Sequence, residues 1–237
     1  IGWSESNAVI YANSVLGART LKIPDYLDLV VAMTGRAPYC GTYADSGRQA
    51  RRIVELAAVP TDVDDGFWPL LGWVLGKLSP DRIPLLRGLE EMNVDDDAMK
   101  AICAAFGSTS GAPMLHIAGH TPEAGMPSAP AADRVTIDRE MLADAWRQLN
   151  SGGADIDLVA IGSPHLSLAE LHLIDAAFDG RHRHADVKLI LTIGRDVLDI
   201  ARQDGVAARL EASGATLYSD LCWCSITQPL FPPETKV

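Results

Sequence analysis

The spacing of apolar residues changes along the chain, and the final third has the most regular pattern. Short apolar runs predict strands at 157–161, 187–193 and 214–218, and the segments between them predict helices at 168–178, 195–203 and 206–213. Strands that alternate with helices over short links form a parallel sheet covered by helices. The predicted fold class is therefore α/β, with a parallel sheet flanked by helices.

The first part of the chain has shorter and less regular patterns. Helices are predicted at 7–17, 24–34, 67–78, 95–106 and 139–149, and apolar runs indicate strands at 52–58, 113–118 and 135–137. Residues 121–132 contain three prolines and are predicted to form a loop over the surface. We therefore divide the chain into a first α/β part, residues 1–133, and a second β-α-β-α-β part, residues 134–237.

The charge balance narrows the choice of partners. Aspartate and glutamate number 31 against 20 lysines and arginines, which gives a formal net charge of −11. Nucleic acids and anionic membrane surfaces are bound through clustered positive charge, so neither is an expected partner. No run reaches the roughly 18 apolar residues of a membrane span. The chain begins without Met and without the regions of a signal peptide, so we expect a fragment. The cytoplasm is the expected location, because the few cysteines are interpreted as reduced thiols.

The number of cysteines, four, indicates neither a disulfide framework nor a metal site. They are too few for a disulfide-stabilised chain of this length, and their spacing matches no zinc motif. Cys222 and Cys224 form the one close pair. Reduced, buried thiols are the ordinary interpretation of such cysteines, and a ligand of a metal cluster is the alternative.

Three loops follow the predicted strands of the final third. Ligands of open parallel sheets bind beyond the carboxyl ends of the strands, which selects residues 162–167, 194–196 and 219–224. In the first loop, Ser163 and His165 precede a helix whose N-terminus favours a carboxylate or phosphate. Capping of that helix by Ser167 is the simpler interpretation of the serines there. Cys222 is expected to point into the same crevice, with a buried core thiol as the alternative.

Polar side chains also interrupt apolar segments earlier in the chain. His116 lies on a predicted strand, where a histidine is commonly a hydrogen-bonded core residue, and His120 and Glu123 lie in the loop after it. Asn13 lies in an apolar helix, where an exposed face is the ordinary interpretation. Motifs of phosphate-binding loops, dinucleotide folds, zinc proteases and serine hydrolases are absent from the sequence. These residues alone name no reaction.

Five segments together resemble the aconitase X family. Residues 5–20, ESNAVIYANSVLGART, are similar to its ESNAV…ANSVLGART signature, and residues 34–38, TGRAP, to its TGRxP. Residues 116–124, HIAGHTPEA, resemble its HI-x-G-x-TPEA, and residues 162–170, GSPHLSLAE, resemble G[C/S]PH…SL-x-E. Residues 219–222, SDLC, resemble the xDxC that ends a strand near the family's cluster. The segments occur in order and extend over nearly the whole chain.

The resemblance implies a hydro-lyase with an aconitase-like catalytic core and an iron–sulfur cluster of the 2Fe-2S or 4Fe-4S type. Exposed iron acts as a Lewis acid on the departing hydroxyl, and a base takes the proton next to the carboxylate. The matching motifs imply catalytic roles for Ser6, Asn7, His116 and His165, substrate binding by Asn13, Ser14, Arg19, Glu123 and Ser163, and iron ligation by Cys222. We expect Asn7, Asn13, Arg19, His116, His165 and Cys222 to line one cleft.

Two departures from the family pattern bear on substrate and partners. Many members have cysteine at the position of Ser163, and serine there goes with the branch that dehydrates cis-3-hydroxy-L-proline, which is the expected substrate. The alternative is mevalonate 5-phosphate, whose phosphate requires more positive charge than Arg19, Arg36 and Arg195 provide. The family also continues on both sides of this chain, and its small swivelling domain or subunit is an expected partner. An inactive fragment is the alternative to an enzyme.

Overall fold

The structure is a computed structural model and describes residues 6–23, 25–57 and 63–221. It divides into two compact units, with the boundary between Asn150 and Ser151. Each unit is built on a parallel sheet, so the α/β class predicted from the sequence is confirmed. Among the described residues, no helix is both long enough and apolar enough to cross a membrane.

The first unit begins with helices and then alternates strands with helices. In chain order its elements are α1 (Ser6–Ser14), α2 (Asp25–Thr34), β1 (Arg52–Leu56), α3 (Phe67–Leu78), β2 (Pro84–Arg87), α4 (Asp96–Thr109), β3 (His116–Ile117), β4 (Asp133–Ile137) and α5 (Arg139–Leu149). Short 3-10 turns at Gly41–Tyr43 and Asp45–Gly47 lie between α2 and β1. The strands lie in the order β3-β2-β1-β4, and every pair is parallel.

The core of the first unit includes the interface between α3 and α4. Leu71, Leu75, Ile102 and Phe106 are fully buried there. A Cβ atom on Gly72 would meet the backbone of Ile102, so the absence of a side chain lets the two helices approach closely. Glycine weakens an isolated helix, but in α3 Gly72 makes the close packing against α4 possible.

The second unit has the strand–helix alternation predicted from the sequence. Its elements are β5 (Leu158–Leu166), α6 (Leu168–Phe178), β6 (Lys188–Ile193), α7 (Arg195–Gln203), α8 (Val206–Ala212) and β7 (Ala215–Ser219). The strands lie in the order β5-β6-β7 and pair in parallel throughout. Leu189, Leu191 and Ile193 of β6 pack with Leu198 and Leu210 in an apolar cluster of this unit.

Three details differ from the sequence-based expectation. The segment 162–167 is not simply a loop, because β5 continues to Leu166; its pairing with β6 shifts between Ile161 and Leu166, so residues 162–165 interrupt the ladder. β2 was not predicted, since its four residues are too short to show a pattern. The strand expected at 113–118 contains only His116 and Ile117.

The division of the chain also differs from the predicted one. β4 pairs with β1, with Arg52 opposite Asp133 and Leu56 opposite Ile137, and α5 packs against α3. Both elements therefore belong to the first unit. The sequence division at 133/134 falls at the first residue of β4, whereas the compact units divide after Asn150.

Candidate functional site

The end of α1 is tied to two other segments by the side chain of Asn13. Its Nδ2 donates to the carbonyl oxygens of Thr20 and Pro113, each at 3.0 Å, and its Oδ1 accepts from the Thr20 amide at 2.9 Å. The residue is fully buried, so the exposed-face interpretation is wrong. Both amide hydrogens are used on backbone carbonyls, which makes Asn13 a support of the local structure.

Ser14, the last residue of α1, makes a similar attachment. Its Oγ accepts a hydrogen bond of 3.0 Å from the backbone amide of Leu115, just before β3. The side chain is buried. Asn13 and Ser14 together hold the segment 113–115 against the end of α1, and this fixes where His116 enters the sheet.

Arg48 lies among these segments and is the largest fully buried side chain of the described residues. Its Nε donates to Glu123 Oε2 at 2.6 Å, and its Nη2 lies 2.5 Å from the same oxygen. Nη1 donates to the Thr42 carbonyl at 3.0 Å, and Nη2 to the Asn13 carbonyl at 2.9 Å. A charge that is buried away from water must be paired and hydrogen-bonded. Here each of the three guanidinium nitrogens donates a hydrogen bond, and Glu123 supplies the opposite charge. No motif in the sequence had pointed to Arg48.

Glu123 connects the buried Arg48 with a more exposed arginine. Its Oε1 lies 3.6 Å from Nη2 of Arg19. Arg19 also donates to the Tyr43 carbonyl at 3.1 Å and to Asp45 Oδ1 at 2.5 Å, and this last hydrogen bond is the main cause that raises the pKa of Arg19. The side chain of Arg19 is 41% exposed and that of Asp45 is 76% exposed. Arg19 is therefore the cation of this group that a dissolved anion can reach.

His116 is almost completely buried, with 2% of its surface exposed. Its Nε2 lies 2.7 Å from the backbone carbonyl oxygen of Arg48. A carbonyl oxygen only accepts, so Nε2 carries the hydrogen and Nδ1 has the lone pair of a neutral ring. Nδ1 is buried and has no hydrogen-bond partner among the described residues. Burial is the main cause that lowers the pKa of His116, which keeps the ring neutral and able to accept a proton.

We refer to Asn13, Arg19, Arg48, His116 and Glu123 as the Arg48 cluster. The sequence had named four of its members as site residues, and the structure brings those four together around the fifth. Chemically, the cluster offers a neutral imidazole with a free lone pair, an accessible guanidinium and a carboxylate held by a buried one. His120, which the sequence had paired with Glu123, instead bonds through Nε2 to the Leu89 carbonyl at 2.8 Å.

The second unit places His165 next to the last residue described. His165 Nε2 lies 2.9 Å from the carbonyl oxygen of Leu221 and donates to it. Ser163 is exposed on the irregular part of β5. Asp220 accepts from the Arg195 amide at 2.9 Å and pairs with its guanidinium at 2.8 Å. His165 is thus attached to the backbone immediately before Cys222.

Three of the predicted site residues lack a described side chain. Cys222 lies outside the described residues, as does Cys224. Ser6 and Asn7 belong to α1, but only their backbone is described. The expectation that Asn7, Asn13, Arg19, His116, His165 and Cys222 line one cleft therefore stays a prediction.

The described thiols do not form a metal centre. Cys40 is exposed, and Cys103 is buried in α4, where burial raises its thiol pKa to about 12. Cluster iron is held by thiolates, and a thiol with that pKa stays protonated at neutral pH. Within 6–23, 25–57 and 63–221, no three His, Cys, Asp or Glu side chains are placed to hold a metal ion. These residues by themselves do not fit an iron–sulfur cluster.

Three family models match the chain in consecutive order. The aconitase X first domain matches residues 1–46, the second domain residues 50–147 and the third domain residues 156–237. The crystal structure of Thermococcus kodakaraensis aconitase X in its holo-form superposes with a TM-score of 0.85 at 29% identity, covering 94% of this chain and 56% of that one.

Curated relatives of the chain fall into two kinds of dehydratase. Cis-3-hydroxy-L-proline dehydratase of Pseudomonas aeruginosa is 46% identical over all of this chain and 42% of its own length. The protein of the same name from Hypocrea jecorina is 40% identical over all of this chain and 41% of its length. The phosphomevalonate dehydratase large subunit of Methanocaldococcus jannaschii is 29% identical over 94% of this chain and 56% of its length. The chain spans less than half the length of the first two relatives.

Proposed function

The chain belongs to the aconitase X family, and we propose that the protein is a hydro-lyase that removes water from cis-3-hydroxy-L-proline. The observation that carries this proposal is a difference in identity. The chain is 46% and 40% identical to two cis-3-hydroxy-L-proline dehydratases, against 29% to an archaeal phosphomevalonate dehydratase large subunit. Ser163, which stands where many family members have cysteine, favours the same substrate.

The reaction requires two bonds of the substrate to break. The proton next to the carboxylate leaves one ring carbon, and the hydroxyl leaves the adjacent carbon as water. The resulting enamine isomerises to 1-pyrroline-2-carboxylate. The protein must therefore supply a proton acceptor, bind the carboxylate and assist the leaving hydroxyl.

We assign the proton acceptor to Nδ1 of His116. This atom has the lone pair of a neutral ring and no partner among the described residues. Arg19, the accessible cation of the Arg48 cluster, is proposed to bind the substrate carboxylate. Asn13 and Ser14, which the resemblance placed at the substrate, are proposed instead to support the site, since their side chains bond to backbone groups.

The remaining roles come from the family motifs. Ser6, Asn7 and His165 are proposed as catalytic residues, and Ser163 and Glu123 as substrate-binding residues. Cys222 is proposed as a thiolate ligand of an iron–sulfur cluster, which when bound would supply Lewis-acid assistance to the leaving hydroxyl. A further domain or subunit is proposed to complete the protein, in keeping with the coverage of 42% of the first relative.

The positive charge that a phosphorylated substrate requires supports the choice of cis-3-hydroxy-L-proline. Mevalonate 5-phosphate has a carboxylate and a phosphate, and both require cations. Within the first unit Arg19 is paired with Asp45, and within the second unit Arg195 is paired with Asp220. A substrate with one carboxylate needs only one of these cations, whereas a carboxylate and a phosphate together need more, and this supports the hydroxyproline assignment.

The test is an assay of the natural full-length protein, purified without oxygen, on both compounds. We expect 1-pyrroline-2-carboxylate to form from cis-3-hydroxy-L-proline and no product from mevalonate 5-phosphate. A His116→Gln variant is expected to lose the activity, which excludes a contaminating enzyme. Turnover of mevalonate 5-phosphate alone would assign the other substrate, and turnover of neither would contradict the proposal.

A further inference from the structure

The buried guanidinium of Arg48 has no role in the proposed reaction. We propose that Arg48 is a positioning residue, which holds its own backbone carbonyl against His116 and so keeps the ring hydrogen on Nε2 and the lone pair on Nδ1. The catalytic consequence rests on the proposed function, but the effect on the ring itself does not.

The contacts of Arg48 join segments that are distant in sequence. The guanidinium bonds to the end of α1 through the Asn13 carbonyl, to a 3-10 turn through the Thr42 carbonyl and to the loop after β3 through Glu123. Each bond is directional, because the guanidinium is a rigid, planar fork of donors. These bonds fix residue 48 itself, whose carbonyl oxygen lies 2.7 Å from His116 Nε2.

Stability alone does not require a buried ion pair at this position. Apolar side chains of similar volume often serve as well as a buried ion pair, because both charges must leave water. An apolar side chain could fill the space but could not orient three segments and a carbonyl group. The ordering of these groups is what the guanidinium adds.

Which nitrogen of the His116 ring has the hydrogen depends on the position of the Arg48 carbonyl group. With the Arg48 carbonyl in place, the Nε2–H form has a hydrogen bond that the Nδ1–H form lacks. If residue 48 moves away, the Nε2–H form loses this hydrogen bond and its advantage becomes smaller, so Nδ1 no longer holds the lone pair in every molecule. A base with the hydrogen on the wrong nitrogen cannot accept a proton there, so misplacing Arg48 should lower kcat more than it changes KM.

The experiment compares Arg48→Lys with Arg52→Lys in the natural full-length protein. Lysine keeps the positive charge but loses the planar fork. Arg52 is the matched control, because it also bonds to a carboxylate through Nε and Nη2, in this case that of Asp133, away from the Arg48 cluster. Solid-state NMR of protein labelled with ¹⁵N in the histidine rings reports which nitrogen is protonated. The signal of His116 is assigned by its loss in His116→Gln.

We expect the parent protein and Arg52→Lys to show His116 with hydrogen on Nε2 alone. Arg48→Lys should show both ring forms and a kcat that is lower in proportion to the share of the Nδ1–H form, about two- to fivefold, with a smaller change in KM. A parent spectrum with hydrogen on Nδ1 would overturn the proposal, as would an Arg48→Lys spectrum equal to the parent. The same loss in Arg52→Lys would overturn it too, because the effect would then be general.

A second variant covers the case in which Arg48→Lys does not fold. Glu123→Gln keeps the shape of the side chain but removes the charge that strengthens two of the bonds to Arg48. It should show a smaller admixture of the Nδ1–H form. A pure Nε2–H form in this folded variant would count against the proposal. The NMR result does not depend on turnover, so it stands apart from success or failure of the substrate assignment.

Discussion

At the scale of single residues, His116 should link stability to pH. Its surroundings lower its pKa, mainly through burial, whereas in the unfolded chain the ring has a pKa of about 6.5. Below that pH the unfolded state binds a proton that the folded state resists, so stability decreases as the pH falls from about 6.5 towards the lowered pKa. The slope from one such group is at most about 1.4 kcal/mol per pH unit.

The measurement is the free energy of unfolding in urea at about pH 7 and about pH 5.5, two values on either side of the histidine pKa. His116→Gln, which does not titrate, should be less sensitive to this change of pH than the parent. His182→Gln changes an exposed histidine and should keep the sensitivity of the parent. Equal pH dependence in the parent and in His116→Gln would show that this ring is not the cause.

Arg19 and Asp45 should change substrate binding in opposite directions. Asp45 competes with a substrate carboxylate for Arg19, since the two side chains form an ion pair of 2.5 Å in solvent. Exposed ion pairs are weak, so Asp45→Asn should lower KM only about two- to fivefold and leave kcat unchanged. Arg19→Gln should raise KM. Steady-state kinetics on cis-3-hydroxy-L-proline measure both, and a higher KM in Asp45→Asn would exclude Arg19 as the carboxylate-binding residue.

Sequence reasoning named four of the five members of the Arg48 cluster but not Arg48 itself, and the roles of the four stay predictions. Arg19, His116 and Glu123 were identified through motifs of the family, and the structure places all three around Arg48. Arg48 stands in an irregular segment, where neither periodicity nor a motif marks a buried charge. The exposed face expected for Asn13 was wrong, because its buried side chain bonds to the Thr20 and Pro113 backbone. A contact 100 residues away in sequence leaves no local signal.

At the scale of elements, the contact between α3 and α4 should tolerate no added methyl group at Gly72. A Cβ there meets the backbone of Ile102, which has no free rotation to move aside. In an exposed helix, Gly→Ala stabilises by roughly 1 kcal/mol. At this position we expect Gly72→Ala to destabilise the first unit by about 1–3 kcal/mol through overpacking.

The free energy of unfolding in urea measures the effect of Gly72→Ala. Gly153→Ala is a suitable control, because a Cβ on Gly153 meets nothing within 4 Å. The control should change stability by less than about 0.5 kcal/mol, as surface substitutions usually do. A stabilised Gly72→Ala protein would show that helix propensity outweighs the close contact.

Helices were predicted better than strands, for a physical reason. The predicted bounds 67–78, 139–149, 168–178 and 195–203 match α3, α5, α6 and α7. Two of these helices have clear start signals: Asp138 caps α5, and Ser167 forms a capping box with Glu170 at the start of α6. Strand pairing depends on partners far along the chain, so the short β2 was missed and the irregular end of β5 was predicted as loop.

At the scale of the whole molecule, the iron of the proposed cofactor should depend on Cys222. The carboxyl end of β7 lies at the sheet edge where parallel α/β folds bind ligands. There His165 donates to the Leu221 carbonyl, so the backbone just before Cys222 is anchored within the second unit. Among the residues that the structure describes, Cys40 lies in no group of possible metal ligands, and Cys103 is a buried neutral thiol.

Cys222→Ala, in the natural full-length protein, should therefore lose iron and dehydratase activity together, since a cluster that lacks one of its thiolates is held weakly. Iron content and the visible absorption of the anaerobic protein measure the loss. Cys224→Ala removes a thiol two positions along the chain, and Cys103→Ala removes a buried one, and both should keep their iron. Iron retained in Cys222→Ala but lost in Cys224→Ala would move the ligand to Cys224. Loss in all three variants would instead indicate that the protein had unfolded, which circular dichroism of the same samples distinguishes from loss of a ligand.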